Sequence, residues 1–185
     1  MHDFGSCRNL ESGAVFILAS GLSATSFPLE RFAHVPMITM NGAISIFLNT
    51  GVKPFFYVCS DRSFSEQQPH LFDCAMAISQ RVALREHHAR TCGRCPSGQL
   101  YGLSKVFLVG VDLHENSGRF YENHESKNSP CGLDQHDHTR ILPSLELMAQ
   151  KIIGDDFRVY NLSDCSRIPA SVIPRVTLAQ AQALI

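Results

Sequence analysis

Ala14–Ala24, AVFILASGLSA, is the stretch that decides the fold. Five apolar residues run straight into a small-residue turn, Ala19-Ser20-Gly21-Leu22-Ser23-Ala24. The segment Pro28-Leu29-Glu30-Arg31-Phe32 follows at once and reads as the start of a helix. A buried strand, a tight turn and a helix in that order place backbone N–H groups and the positive end of a helix dipole at the carboxyl edge of a sheet. An anion such as a phosphate is stabilised there. The stretch therefore points to a nucleotide-binding enzyme without naming its substrate.

The pattern repeats outward from this point. Val35–Met40 (VPMITM) reads as a second buried strand that ends at Asn41-Gly42. Gly42–Asn49 is apolar and reads as helical, with Gly51 as its stop. Phe55–Cys59 (FFYVC) is a third strand, ending in Ser60-Asp61-Arg62. Strands apolar on both faces, joined by helical segments, predict an α/β fold: a Rossmann-like, mostly parallel sheet with helices on both faces. A helix is expected over Pro69–Gln80, a short strand over Arg81–Leu84 and a loop over Arg85–Pro96. Ser97–Ser104 reads as one or two helical turns, and Lys105–Val111 (KVFLVGV) is the strongest strand signal in the chain. Glu115–Arg140 is polar and reads as a long lid or binding loop. Leu142–Ile153 is an amphipathic helix, Phe157–Asn161 a last strand, Ser163–Ser166 a polar turn and Leu178–Ile185 a closing helix. The whole of 1–185 is expected to be one domain.

Bulk composition removes some classes. The net charge is −1, from 16 basic and 17 acidic residues, so nothing favours a nucleic-acid groove. No apolar run approaches the roughly 18 residues that a membrane span needs. The opening residues, MHDFGSCRNLESG, lack the basic region and apolar core of a signal peptide, and a cytoplasmic protein is expected. The seven cysteines are an odd number in a chain without an export signal, which favours free thiols.

Several residues carry candidate chemistry. Ser20, Gly21 and Ser23 form a turn that can cradle a phosphate, although the full glycine spacing of a dinucleotide fingerprint is missing. Asn41 can reach a base or ribose, and Asn-Gly is equally a common turn pair. Asp61 and Asp112 end buried strands, where a carboxylate can hold a ribose hydroxyl or magnesium; Asp is also a good helix cap. His136 and His138 precede the late helix, and either can act as a general base near neutral pH. His87, His88, Cys92 and Cys95 include only one Cys-x-x-Cys, short of the two ligand pairs of a structural zinc site.

Taken in order, these pieces give a resemblance. ILASGLSA, PLERF, ITMNGA, FFYVCSD, Ser97-Gly98, LSKVFLVGVDL, His138-Thr139 with ILPSLELMAQKI, and VYNLSDCS follow one another over roughly residues 13–168. The series resembles bacterial glycosyltransferases of the sialyltransferase-like, lipopolysaccharide-biosynthesis type. It is also similar to the wider group that includes archaeal 6-hydroxymethylpterin pyrophosphokinase-like proteins. The first resemblance implies a nucleotide-activated sugar as donor (of CMP-sugar type), a glycan or lipid-linked acceptor, and inverting transfer at the inner face of the membrane. It further implies that Ser20, Gly21, Ser23 and Asn41 hold the nucleotide, with Ser97 and Gly98 beside them. His138, with His136 as its neighbour, is then the base. The second implies a transferase using ATP and magnesium, the metal held by Asp61 and Asp112. Two departures stand out. HHARTCGRCPSG lacks the tyrosine pair that steadies the leaving phosphate in sialyltransferase-like members, with Arg90 or Arg94 as substitutes. The helix expected between Ser97-Gly98 and the VGVD strand is reduced to Gln99–Leu103, which implies either a rebuilt segment or a reduced, non-catalytic nucleotide-binding module.

Overall fold

Alternation along the first strand separates the two sides of the sheet. Ala14, Phe16 and Leu18 enter one apolar cluster, while Val15 enters another, as the period-two geometry of a strand requires. The structure, a computed structural model, describes residues 12–59, 62–84, 102–113 and 137–185. Its strands are β1 (Gly13–Leu18), β2 (Met37–Met40), β3 (Phe56–Cys59), β4 (Val82–Leu84), β5 (Leu103–Val109) and β6 (Arg158–Asn161). They form one sheet in the order β4-β3-β2-β1-β5-β6. Every pairing within it is parallel, with Phe16 beside Met37 on one side and Phe107 on the other.

Both faces are covered, as the sequence predicts. The helices are α1 (Arg62–Gln67), α2 (Pro69–Ile78), α3 (Leu142–Lys151) and α4 (Leu178–Leu184). The first face takes Leu29, Phe32, Ile44 and Phe47, with Phe64 of α1, Ala75 of α2 and Ala181 of α4. Phe16 is its centre, with ring centroids 4.9 Å from Phe27, 5.1 Å from Phe32 and 5.3 Å from Phe107. The second face takes Ile168 and Ile173, with Leu142, Leu145 and Met148 of α3 packed against it.

The differences from expectation are local and have local causes. Leu22–Ser26, Leu29–Phe32 and Asn41–Phe47 are 3-10 segments, not α-helices. In the first, Thr25 and Ser26 turn their hydroxyls back onto the carbonyls of Leu22 and Ser23, and Pro28 blocks continuation. In the third, Ser45 does the same to Gly42. Gly51 does not stop that segment, because it is not in the left-handed region. Thr50 does so instead: its hydroxyl donates to Phe47 O at 3.0 Å and accepts from Val52 N–H at 3.3 Å. Leu103 and Ser104 open β5 rather than closing a helical turn, since Leu103 is a core residue level with Gly13. Val111 lies beyond β5 because Gly110, at φ +73°, bends the chain first. Asp137–Ile141, assigned largely to a loop, is a π-helical turn leading into α3. Pro143 has no N–H for the carbonyl four residues back and crowds it, which favours a wider turn there. The segments predicted over Arg85–Pro96 and Glu115–Arg140 fall outside the described residues, apart from the end of the second; so do His87, His88, Cys92, Cys95, Arg90 and Arg94.

Candidate functional site at the carboxyl edge

Chain order places the site. From β1 the chain builds β2, β3 and β4 on one side, then returns to the other side of β1 for β5 and β6. The loops after β1 and β5 therefore leave in opposite directions. In open parallel sheets a ligand crevice forms at the carboxyl ends of the strands at such a switch point.

Here the two loops touch. Ala19 N–H donates to Val109 O at 2.8 Å, and Gly21 N–H donates to Gly110 O at 2.9 Å. Ser23 N–H donates to Asp112 Oδ2 at 2.9 Å, and the Ser23 hydroxyl donates to Asp112 Oδ1. The hydroxyl of Ser163, just past β6, lies 2.9 Å from that of Ser23 and accepts from Gly110 N–H at 3.1 Å. Because Ser23 gives its single hydroxyl proton to Asp112, Ser163 supplies the proton between the two serines. Ser163 is held in turn by its own N–H, which donates to Asn161 Oδ1 at 3.0 Å. The carboxyl ends of β1, β5 and β6 are thus one hydrogen-bonded unit.

The glycines of this unit admit nothing larger. A Cβ on Gly21 would stand 2.5 Å from both Asp112 Oδ2 and Gly110 O. One on Gly110 would stand 2.4 Å from Ala19 O. Glycine at Gly21 is therefore required by the approach of β5, a tertiary reason beyond the needs of a turn.

On the other flank of β1, Leu18 is in register with Thr39, and Asn41 follows two residues later at the end of β2. Asn41 has a left-handed backbone, φ 46°, a conformation Asn tolerates better than most residues. Its Oδ1 is buried with no hydrogen-bond partner among the described residues. Leu113, at φ 58°, is the other non-glycine with positive φ among the described residues, and it too sits at this edge. For a bulky side chain that is a strained backbone.

The predicted residues thus divide. Ser20, Gly21, Ser23, Asn41 and Asp112 meet at one edge. His138 lies in the π-helical turn ahead of α3, and its side chain is outside the described set. Since α3 joins the end of β5 to the start of β6, its first turn lies toward the same carboxyl edge. Asp61, Ser97, Gly98 and His136 lie outside the described residues. Ser163 and Asn161 were not singled out by the sequence. Their only signal is a polar Asn-x-Ser at the end of an apolar strand.

Of the two carboxylates expected to hold magnesium, Asp61 lies outside the described residues. Asp112 is 6% exposed and both its oxygens already accept from Ser23. Among the described residues no three His, Cys, Asp or Glu side chains gather as a metal site.

Fold and site together define the class: a doubly wound, Rossmann-like α/β protein with its candidate site at the β1–β5 switch point. No family model matches the chain, and no curated protein matches it by sequence. Among solved structures it is similar to the MAf glycosyltransferase from Magnetospirillum magneticum AMB-1, at 12% identity and a TM-score of 0.55. The match covers 96% of this chain but 37% of that one. At that identity the likeness is one of fold.

Proposed function

We propose that this chain is a nucleotide-sugar-dependent glycosyltransferase-like protein of lipopolysaccharide or other surface-glycan biosynthesis. The observation that carries the reading is the meeting of the β1 turn, Asn41 and the β5 loop at the switch point of a parallel sheet. The fold likeness to the MAf glycosyltransferase supports it. The donor, of CMP-sugar type, lies across the carboxyl edge, with Ser20 and Asn41 beneath it; Asp61, Ser97 and Gly98, which lie outside the described residues, belong to the nucleotide site in this reading. His138, or His136 beside it, takes the proton of an acceptor hydroxyl. The acceptor oxygen then bonds to the anomeric carbon as the bond to the leaving phosphate breaks, with inversion and without a covalent enzyme intermediate. Among the described residues no helix is long and apolar enough to cross a membrane, so contact with a lipid-linked acceptor is peripheral in this reading.

A second reading has its own support. With the Ser23 donors taken by Asp112, the chain also fits a reduced, non-catalytic nucleotide-binding module. The pterin pyrophosphokinase-like reading needs Asp112 on magnesium, and the burial of that carboxylate argues against it. A thermal-shift panel separates the three. Stabilisation by CMP or CMP-sugars together with measurable transfer supports the first. CMP binding without transfer supports the second, and a response to ATP with magnesium alone supports the third.

A further inference from the structure

We infer that Asp112 is the resident anion of the β1 turn and that it sets which part of a nucleotide the turn accepts: phosphate is refused there. The inference rests on the nucleotide-binding reading above. The turn was expected to cradle a phosphate because its donors converge. They do converge, but on a carboxylate from β5: Ser23 gives Asp112 both its N–H and its hydroxyl proton. The Gly21 N–H is spent on Gly110 O. The space above Gly21 is filled as well, since Asp112 Oδ2 lies 2.5 Å from where a Cβ would be. Ser163 keeps Ser23 in this pose, held by Asn161, which is fully buried. A phosphate entering the turn would meet spent donors and a like charge at contact distance, in a place where water screens poorly.

The other flank differs. Among the described residues neither Ser20 nor Asn41 makes a side-chain bond to Asp112. A carboxylate fixed in the β1 turn orients a nucleotide at this edge with its phosphate away from Asp112.

Comparing a ligand that carries phosphate with one that does not tests this. CMP and cytidine are titrated calorimetrically into the full chain, wild type and Asp112→Asn. The amide keeps the shape and one acceptor, and the Ser23 hydroxyl can rotate to accept from its NH₂. The inference expects CMP to bind Asp112→Asn about tenfold more tightly while cytidine changes little. Equal weakening of both ligands overturns it, because Asp112 would then contact the ribose; unchanged CMP affinity overturns it as well. Should Asp112→Asn not fold, Ser23→Ala decides. Unchanged CMP affinity is expected, and a loss for CMP but not cytidine puts the phosphate on Ser23 and overturns the inference. A wild type that binds neither ligand defeats the nucleotide reading itself, and this inference with it.

Discussion

Ser23 and Asp112, 89 residues apart, are joined twice, by a 2.9 Å bond from the Ser23 N–H and by a second from its hydroxyl. The pair ties the first loop of the sheet to the loop that follows the return strand. It does so where two glycine backbones approach too closely for any side chain.

That approach makes the glycines sensitive. Gly21→Ala should destabilise the protein by about 1–3 kcal/mol, because the methyl meets backbone and a bonded carboxylate rather than a flexible side chain. Gly110→Ala should lose more, since it adds a left-handed φ to a 2.4 Å clash. Gly51→Ala has open space and no positive φ, and should be neutral or stabilising by about 0.4–1 kcal/mol. Urea denaturation of the three variants checks the order; a Gly21→Ala protein as stable as Gly51→Ala would refute it.

Ser163 should matter more than a turn serine ordinarily does. Ser163→Ala removes the acceptor of Gly110 N–H and the neighbour of the Ser23 hydroxyl inside a buried unit, at a cost of about 1–3 kcal/mol. Amide hydrogen exchange at Gly110 should accelerate with it. Unchanged protection there would mean that Ser163 does not hold the β5 loop.

The core prediction concerns Phe16, fully buried and packed against three other phenylalanine rings. Phe16→Ala should lower stability by about 3–5 kcal/mol, near the whole stability of a small domain. Leu147→Ala on α3, where the side chain is 50% exposed, should stay within about 0.5 kcal/mol. Thermal midpoints of the pair read the contrast directly.

The proposed base has a chemical test. His138→Ala should abolish transfer to an acceptor and leave CMP affinity intact, since the residue handles the acceptor proton and not the nucleotide. Full transfer activity in that variant removes His138 from the reaction, and His136→Ala then becomes the informative variant.

Much of the fold could be read in advance because parallel strands buried on both faces leave an unambiguous trace. AVFIL, VPMITM, FFYVC, KVFLVGV and FRVYN are apolar runs too short for helices, and each overlaps most of a strand. Segments decided by a few side-chain bonds were harder to read. Apolar content alone made Gly42–Asn49 helical, but Ser45 and Thr50 bonding back to the backbone tightened it to 3-10 geometry. The site was legible as a set of loop residues and illegible as a set of partners. Nothing local in SGLS says that its donors serve a carboxylate on β5.

Alone, then, the sequence determined a parallel α/β sheet and the small polar residues at its carboxyl edge, because burial period and turn chemistry are written residue by residue. Only the tertiary structure decided that Gly21 and Gly110 meet, that Asp112 fills the β1 turn and that Ser163 and Asn161 support it. Those relations depend on which strands become neighbours. Strand order is set by long-range packing of the whole chain, which no window of sequence contains.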